Sequence, residues 1–423
     1  MRFSEMLSAT FTNGLAIFFY LLFHSIYDIR VKGLSNYKPS PSTIITINHK
    51  RDLDVPIVGS ILQIQKLFFN NKLRLYYIAR DDLFHPGFLT SHFPIFGITG
   101  RLIHKINLTP IMRALRAYPM GHITRNRIGY LVREMAQIDD KLQLNNVFKP
   151  SGLVTLSNLL GGKELSELAG VSVSNFLDYR YSVLFQKTTD VNILRDEWLK
   201  PIRRKTLDQI KKQLTLFTNI LNKGDICLLA PEGGLSTDGR FWPVRSGLYR
   251  LVSNTIRDVK ILPINTTYDF MTQGRMQIYI NIGKEMTGLK QWDKTKLEKQ
   301  VQMNLTSLTT VTMGQIGSSA IIGLLGEKHR SFKESELFNI ISTKMKEINA
   351  RGIHVDKRLL FKKSLNWRYR DFLKFCIKRK IIIPEPNESS FQISTKVENN
   401  PNGRFNENPV GYSANELRSI FQF

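Results

Sequence analysis

Cysteine is nearly absent from this chain of 423 residues. Cys227 and Cys376 sit in apolar or basic contexts with no paired spacing. That excludes a disulfide framework and a metal site built mainly on cysteine, and it points to reduced thiols in a reducing compartment. Acid is also scarce. Against 60 Lys and Arg there are 35 Asp and Glu, a net charge of +25. The surplus favours anionic partners, namely nucleic acid, acidic lipid or a phosphorylated substrate, and carries no information about fold. Long apolar runs are missing too. From Ala9 to Ile26 the chain is mostly apolar, but its unbroken core, Leu15 to Phe23, is nine residues, too short to span a bilayer alone. With Phe11 and Ile26 it makes a marginal span or an interfacial anchor. Only Arg2 precedes it and no small-residue cleavage site follows, so we expect no cleaved leader. Arg30 and Lys32 just beyond it place the following domain on the cytoplasmic side. No internal repeat is present.

What is there reads as α/β. The length allows two or three domains or one elaborated α/β domain. Strands are expected over 29–32, 43–47, 73–79, 226–230, 260–268 and 275–283, from short β-branched runs bounded by polar or glycine breaks. Helices are expected over 56–67, 203–222 and 245–252. The rhythm predicts a mixed central sheet with flanking helices. Residues 1–28 form the anchor and 29–285 the main domain, interrupted by a helical insertion at about 121–202. A helical C-terminal region follows over 286–383, and 384–423, rich in Asn, Ser and Pro, reads as a disordered tail.

Two segments carry chemistry. The first runs Thr46-Ile47-Asn48-His49-Lys50-Arg51-Asp52-Leu53-Asp54, a strand exit leading into a helix. A neutral imidazole there can take a proton from a hydroxyl near pH 7. It works best when its other nitrogen donates to a carboxylate, and Asp54, in the first helical turn, is placed to accept, with Asp52 as competitor. The second runs Leu228-Leu229-Ala230-Pro231-Glu232-Gly233-Gly234-Leu235-Ser236. Glycines after a strand let backbone N–H groups approach a phosphate or oxyanion. Gly239, Arg245 and Gly247 extend the pattern, and an arginine here suits a bidentate phosphate contact.

In combination, Asn48-His49 through Asp54, Pro231-Glu232-Gly233, then Gly239 and Arg245-Ser246-Gly247 resemble the glycerolipid acyltransferase family, the glycerol-3-phosphate and 1-acylglycerol-3-phosphate acyltransferases. Its first block is Asn-His-x4-Asp and its third is Pro-Glu-Gly-Thr-Arg-Ser. Ile261-Leu262-Pro263-Ile264 is similar to its later Val-Pro-Val strand, and Val31-Lys32-Gly33 to its lead-in. The resemblance covers roughly residues 27–285. It implies His49 as general base on an acceptor hydroxyl and Asp54 as its orienting acid. It implies Asn48, Glu232 and Gly233 in acceptor binding, with basic residues on the phosphate. The donor is an acyl thioester of coenzyme A or acyl carrier protein, and neither metal nor resident cofactor is needed. The implied partners are an anionic membrane surface, the thioester and a phosphorylated glycerol, with no nucleic acid. The chain departs from the family at three points. Gly234 and Leu235 stand where the family has Thr-Arg, leaving Arg240 or Arg245 for the phosphate. The second block is represented only by Pro94, Gly97, Gly100 and Arg101, with Arg116 as a second candidate. The first and third blocks are also unusually far apart.

Three rival readings start from other features. Asp52-Leu53-Asp54 is also the Asp-x-Asp of metal-dependent glycosyltransferases. Leu165 to Ser174 has some of the pattern of a helix-turn-helix. The altered third block suits a non-catalytic membrane-binding protein derived from the same family. Lys357 to Lys380 interleaves ten Lys or Arg with aromatic and aliphatic residues and only one acid, Asp371, as befits a helix at an anionic membrane surface or a half-buried helix with a basic face.

Overall fold

The computed structural model describes residues 3–69, 72–92, 97–121, 125–162, 164–327, 329–386, 390–399 and 405–421. Pro94, part of the expected second block, lies outside them. The chain divides into two compact units. One is 76–219 with residues 1–8, and the other is 9–75 with 220–423.

The second unit carries a five-stranded mixed sheet. Its strands are β1 (Asp28–Lys32), β2 (Thr43–Ile47), β3 (Ile226–Leu229), β4 (Lys260–Asp269) and β5 (Gln277–Ile282), in the order β1-β5-β4-β2-β3. All neighbours are parallel except β4 and β5. β2 and β3 are buried along their whole length, β3 as the apolar run Ile-Cys-Leu-Leu and β2 as the β-branched run Thr-Ile-Ile-Thr-Ile, as strands covered on both faces are. Helices α1 (Phe3–Ile26), α2 (Asp54–Phe68), α3 (Ser246–Asn254) and α4 (Lys294–Ser307) alternate with the strands. The α/β class with a mixed central sheet is therefore as the sequence pattern required. In α1, residues 9–26 have a mean hydropathy of 1.4 and few of them are buried, which by length and composition makes this helix a weak candidate for a membrane span.

Beyond the sheet, α5 (Met313–Gly326), α6 (Glu334–Ala350), α7 (Lys362–Lys378) and α8 (Pro409–Ile420) build a second core around Ile316, Ile341, Phe372, Phe391 and Leu417. α5 starts on a reciprocal cap, with Thr312 and Gln315 bonding each other's backbone N–H. The basic α7 turns Leu365, Tyr369, Phe372 and Phe375 inward and leaves Phe361 and Trp367 exposed with Lys362, Lys363 and Lys374. Arg368 on this helix is fully buried and ion-pairs with Asp269 at the end of β4.

The expected tail is a correction. Residues 390–393 are a strand, paired with Ser331–Lys333 and Ile382–Pro384, and 409–420 are helix α8, with Val410, Tyr412, Ala414 and Leu417 buried. The signal was present but short. Asn408 caps the helix through Gly411 N–H at 2.9 Å and Pro409 opens it. The apolar residues 410, 414 and 417 then recur at helical spacing. A composition rich in Asn, Ser and Pro masked one good helix start.

The first unit has its own core of Ile128, Leu131, Phe148, Phe176 and Leu184. It combines a parallel strand pair, with Tyr77 opposite Ala117 and Arg80 opposite Met120, with mainly short helices and the long Asp196–Asn222. Leu165–Ala169 and Val173–Phe176 are helices of five and four residues, too short for a recognition helix. In chain order this unit stands between the two segments of the other, as an insertion does, but it spans 76–219 and takes in residues 76–120 as well as the expected 121–202.

Phe372→Ala empties a fully buried site against α5 and is expected to destabilise the second unit by about 3–5 kcal/mol, measured as a shift of its urea midpoint.

Candidate active site

The site forms where β2, β3 and β4 end, all three strands pointing their carboxyl ends the same way. Ligand sites of open α/β sheets lie at such ends, because helices cannot cover the sheet there. β2 ends in Asn48, which is fully buried and spends its side chain on β4. Its Oδ1 accepts from Thr266 N–H at 2.6 Å and its Nδ2 donates to Thr266 O at 2.9 Å. Asn48 therefore clamps two strands and presents nothing to a substrate. The resemblance assigned it to substrate binding, and its place in the fold is that of a support.

His49 follows, with its side chain 12% exposed. Its Nδ1 lies 3.1 Å from Asp54 Oδ2. The Asp54 carboxylate is fully buried with five donors in hydrogen-bond reach, one of them the Thr266 hydroxyl, whose single proton it shares with Asn48 Oδ1. Oδ2 takes His49 Nδ1 together with the backbone N–H groups of Lys50 at 2.6 Å and Arg51 at 2.8 Å. Oδ1 takes Thr266 Oγ1 at 3.2 Å and the Tyr268 hydroxyl. A carboxylate only accepts, so in the neutral imidazole Nδ1 is the protonated nitrogen and Nε2 the one with a lone pair. Asp54 also begins α2, where the helix N-terminus favours its charge. Burial and the adjacent Asp54 charge push the Tyr268 phenol well above its ordinary range, so it stays a donor.

Tyr268 and Thr266 were not legible as site residues. They lie two apart on β4, on one face of the strand, and only the pairing of β4 beside β2 brings them to Asp54. The carboxylate they saturate has no face left for a metal, and Asp52 is exposed. Among the described residues no group of three or more His, Cys, Asp and Glu has metal-site geometry.

β3 leads into the second wall. Gly233 takes a left-handed φ of 75° and its N–H bonds Ala230 O at 3.1 Å, making the sharp turn the Pro-Glu-Gly-Gly sequence predicts. The chain then returns to the first segment, with Ser236 N–H on His49 O at 2.9 Å. Glu232 points inward. Its Oε2 accepts from Trp242 N–H at 3.0 Å, its Oε1 has no hydrogen-bond partner, and burial raises its carboxyl above the usual range against the opposing charge of Lys50.

Lys50 is the centre of this wall. Its buried ammonium donates to Gly239 O at 2.7 Å, faces Glu416 Oε1 of α8 at 3.7 Å and lies 4.2 Å from the Phe241 ring centroid. Gly239 must be glycine. Its φ is 86°, and a Cβ would sit 2.1 Å from Tyr412 O of α8. Asn415 Nδ2 donates to Asp238 O at 3.1 Å. The carboxyl-terminal helix thus holds the loop after β3, a role no motif signals.

Both arginine candidates on this unit are exposed. Arg245 caps α3 with its Nε on Glu232 O at 3.3 Å, and Arg240 Nε lies 3.7 Å from Asp238 Oδ2. Arg101 belongs to the first unit, on the helix Gly97–His104, with its guanidinium 5.6 Å from the Tyr179 ring centroid.

Tyr268→Phe removes a donor to a buried carboxylate and is expected to cost about 1.5–3 kcal/mol in urea unfolding. Glu232→Gln tests the buried carboxyl by pH. Because the folded-state pKa is raised, the native protein loses stability as pH climbs from the unfolded carboxyl pKa through the folded one. The glutamine variant lacks that loss. Its stability relative to the parent is expected to be higher at pH 7 than at pH 4, and equal differences at the two pH values would contradict the assignment.

No family model matches the chain, and no curated protein matches it in sequence. Among solved structures it is similar to the 1-acyl-sn-glycerophosphate acyltransferase of Thermotoga maritima. The two are 13% identical, the match covers 72% of this chain and 81% of that one, and the TM-score is 0.36, too distant a likeness to argue from.

Proposed function

We propose that this protein is a membrane-associated acyltransferase that moves a fatty acyl group from a thioester to a hydroxyl of 1-acylglycerol-3-phosphate or glycerol-3-phosphate. The observation that carries the reading is the pair of His49 and Asp54, 3.1 Å apart with the carboxylate fully buried. That is the arrangement of a general base with a fixed tautomer. It stands within an Asn-His-x4-Asp segment facing a Pro-Glu-Gly turn, the order the acyltransferase resemblance rests on.

In this mechanism His49 Nε2 takes the proton of the acceptor hydroxyl as its oxygen attacks the thioester carbonyl. The tetrahedral intermediate collapses, the carbon–sulfur bond breaks, and the imidazolium returns its proton to the leaving thiolate. One ester and one thiol result, with no acyl-enzyme and no metal. The Asp54 carboxylate balances the imidazolium. Glu232 and Gly233 shape the acceptor side, and Arg240 and Arg245 are the exposed cations for its phosphate. The donor is an acyl thioester of coenzyme A or acyl carrier protein. The apolar α1 supplies the membrane anchor, with the catalytic unit on the cytoplasmic side.

The test is acyl transfer from a long-chain thioester to a panel of lysolipid and glycerol phosphate acceptors, following thiol release and labelled lipid. His49→Ala is expected to lower kcat by about 10²–10⁴-fold with the fold intact, and a chelator to change nothing. A folded protein that binds vesicles yet acylates none of these acceptors would sink the reading.

A further inference from the structure

The helix Gly97–His104 in the first unit is inverted relative to a soluble helix. Its inner face holds Gly100, Ile103 and His104, of which only Ile103 is aliphatic. Gly100 is buried, and His104 is held by Thr90 Oγ1 at 2.9 Å and Leu177 O at 2.9 Å, with burial pushing its imidazole down towards the neutral form. Its outer face carries the bulk. Ile98 is 78% exposed and Leu102, one turn on, is 64% exposed. The turn that follows continues the stripe with Ile106 at 44%, and the next helix, Thr109–Ala114, adds Ile111 at 45%. Exposed Arg101 and Lys105 are interleaved with these residues, and residues 97–121 contain no Asp or Glu. Large aliphatic side chains turned outward are costly in water, at roughly 25 cal/mol for each Å² left exposed.

We propose that Ile98, Arg101, Leu102, Lys105, Ile106 and Ile111 form a docking surface for an anionic lipid bilayer. The charge pattern selects the occupant. Aliphatic side chains flanked by cations enter the headgroup boundary while the basic heads remain at the phosphate level. A nucleic acid would use the cations and leave the aliphatics in water. The surface assigns Arg101 to lipid rather than to the substrate phosphate. It stands independently of the acyl-transfer reading, because it rests on exposure and charge in the other unit.

Cys227 and Cys376 are fully buried, so an introduced thiol can be labelled selectively in the full-length protein. Ile98→Cys and, as control on the same unit, the exposed Lys141→Cys are each given an environment-sensitive dye. Each is titrated with phosphatidylcholine vesicles with and without phosphatidylserine, carrying acyl-chain-brominated lipid as quencher. The dye at 98 is expected to shift to the blue and be quenched on anionic vesicles, while the dye at 141 stays in water. Adding Arg101→Gln and Lys105→Gln is expected to raise the half-saturating lipid concentration on the order of tenfold, and added salt to act in the same direction. A dye at 98 as unquenched as that at 141, on protein that sediments with the vesicles, would overturn the proposal. So would a blue shift that depends on protein concentration without lipid, which would make the patch a contact between copies.

Discussion

A carboxylate cut off from water must find every hydrogen bond it needs inside the protein, and Asp54 governs the second unit for that reason. Its five donors come from three places. The backbone just after β2 supplies two, His49 a third, and β4 the remaining pair. Satisfying them fixes the register of β2 against β4, the first turn of α2 and the ring plane of His49 together. Asn48 adds a second lock one residue before His49, on the same Thr266. The imidazole is held by a network that has no slack, and the residue available for chemistry is the one whose second nitrogen the network does not use.

The same logic extends outward through buried charge. Lys50 stands next to His49 in the chain and is enclosed between the loop after β3 and helix α8. Burial raises the carboxyls of Glu232 and Glu416 while the Lys50 ammonium opposes the shift. An ammonium in that place is tolerable only with carboxyl and carbonyl partners close by. The loop and the terminal helix are consequently tied to the segment 48–54 by an electrostatic need as well as by packing. On the far side of Tyr268, Asp269 and Arg368 make a further buried pair that joins β4 to the basic helix α7. The sheet end, the glycine loop and the helical C-terminal region form one connected support.

Much of this was legible in particular residues. The runs Thr-Ile-Ile-Thr-Ile in β2 and Ile-Cys-Leu-Leu in β3 announced buried strands, because strands covered on both faces show no strict alternation of apolar and polar residues. His49 and Asp54 were legible as a pair because a strand exit and a first helical turn are near in space whenever they are near in sequence. Gly233 and Gly239 were legible as turn residues. Thr266, Tyr268, Glu416 and Tyr412 were not, since nothing in their own surroundings distinguishes them from ordinary strand and helix residues. Asn48 was assigned to substrate, whereas its environment makes it a clamp. Helix α8 was hidden by composition, although its Asn408-Pro409 start is a sound capping signal.

The sequence by itself determined the local facts. These are the α/β alternation, the positions of the strand ends, the His49–Asp54 pair within six residues, the positive charge and the apolar amino-terminal segment. Each follows from backbone sterics, side-chain period or Coulomb attraction, which act over a few residues or over the whole surface alike. The tertiary structure alone decided which distant groups complete the site. Tyr268 lies more than 200 residues from the carboxylate it holds, as does Thr266, and Glu416 lies still further from Lys50. Such partners are chosen by strand pairing and helix packing, where the free energy of burying a polar group is settled by whatever the fold brings within 3 Å or so of it.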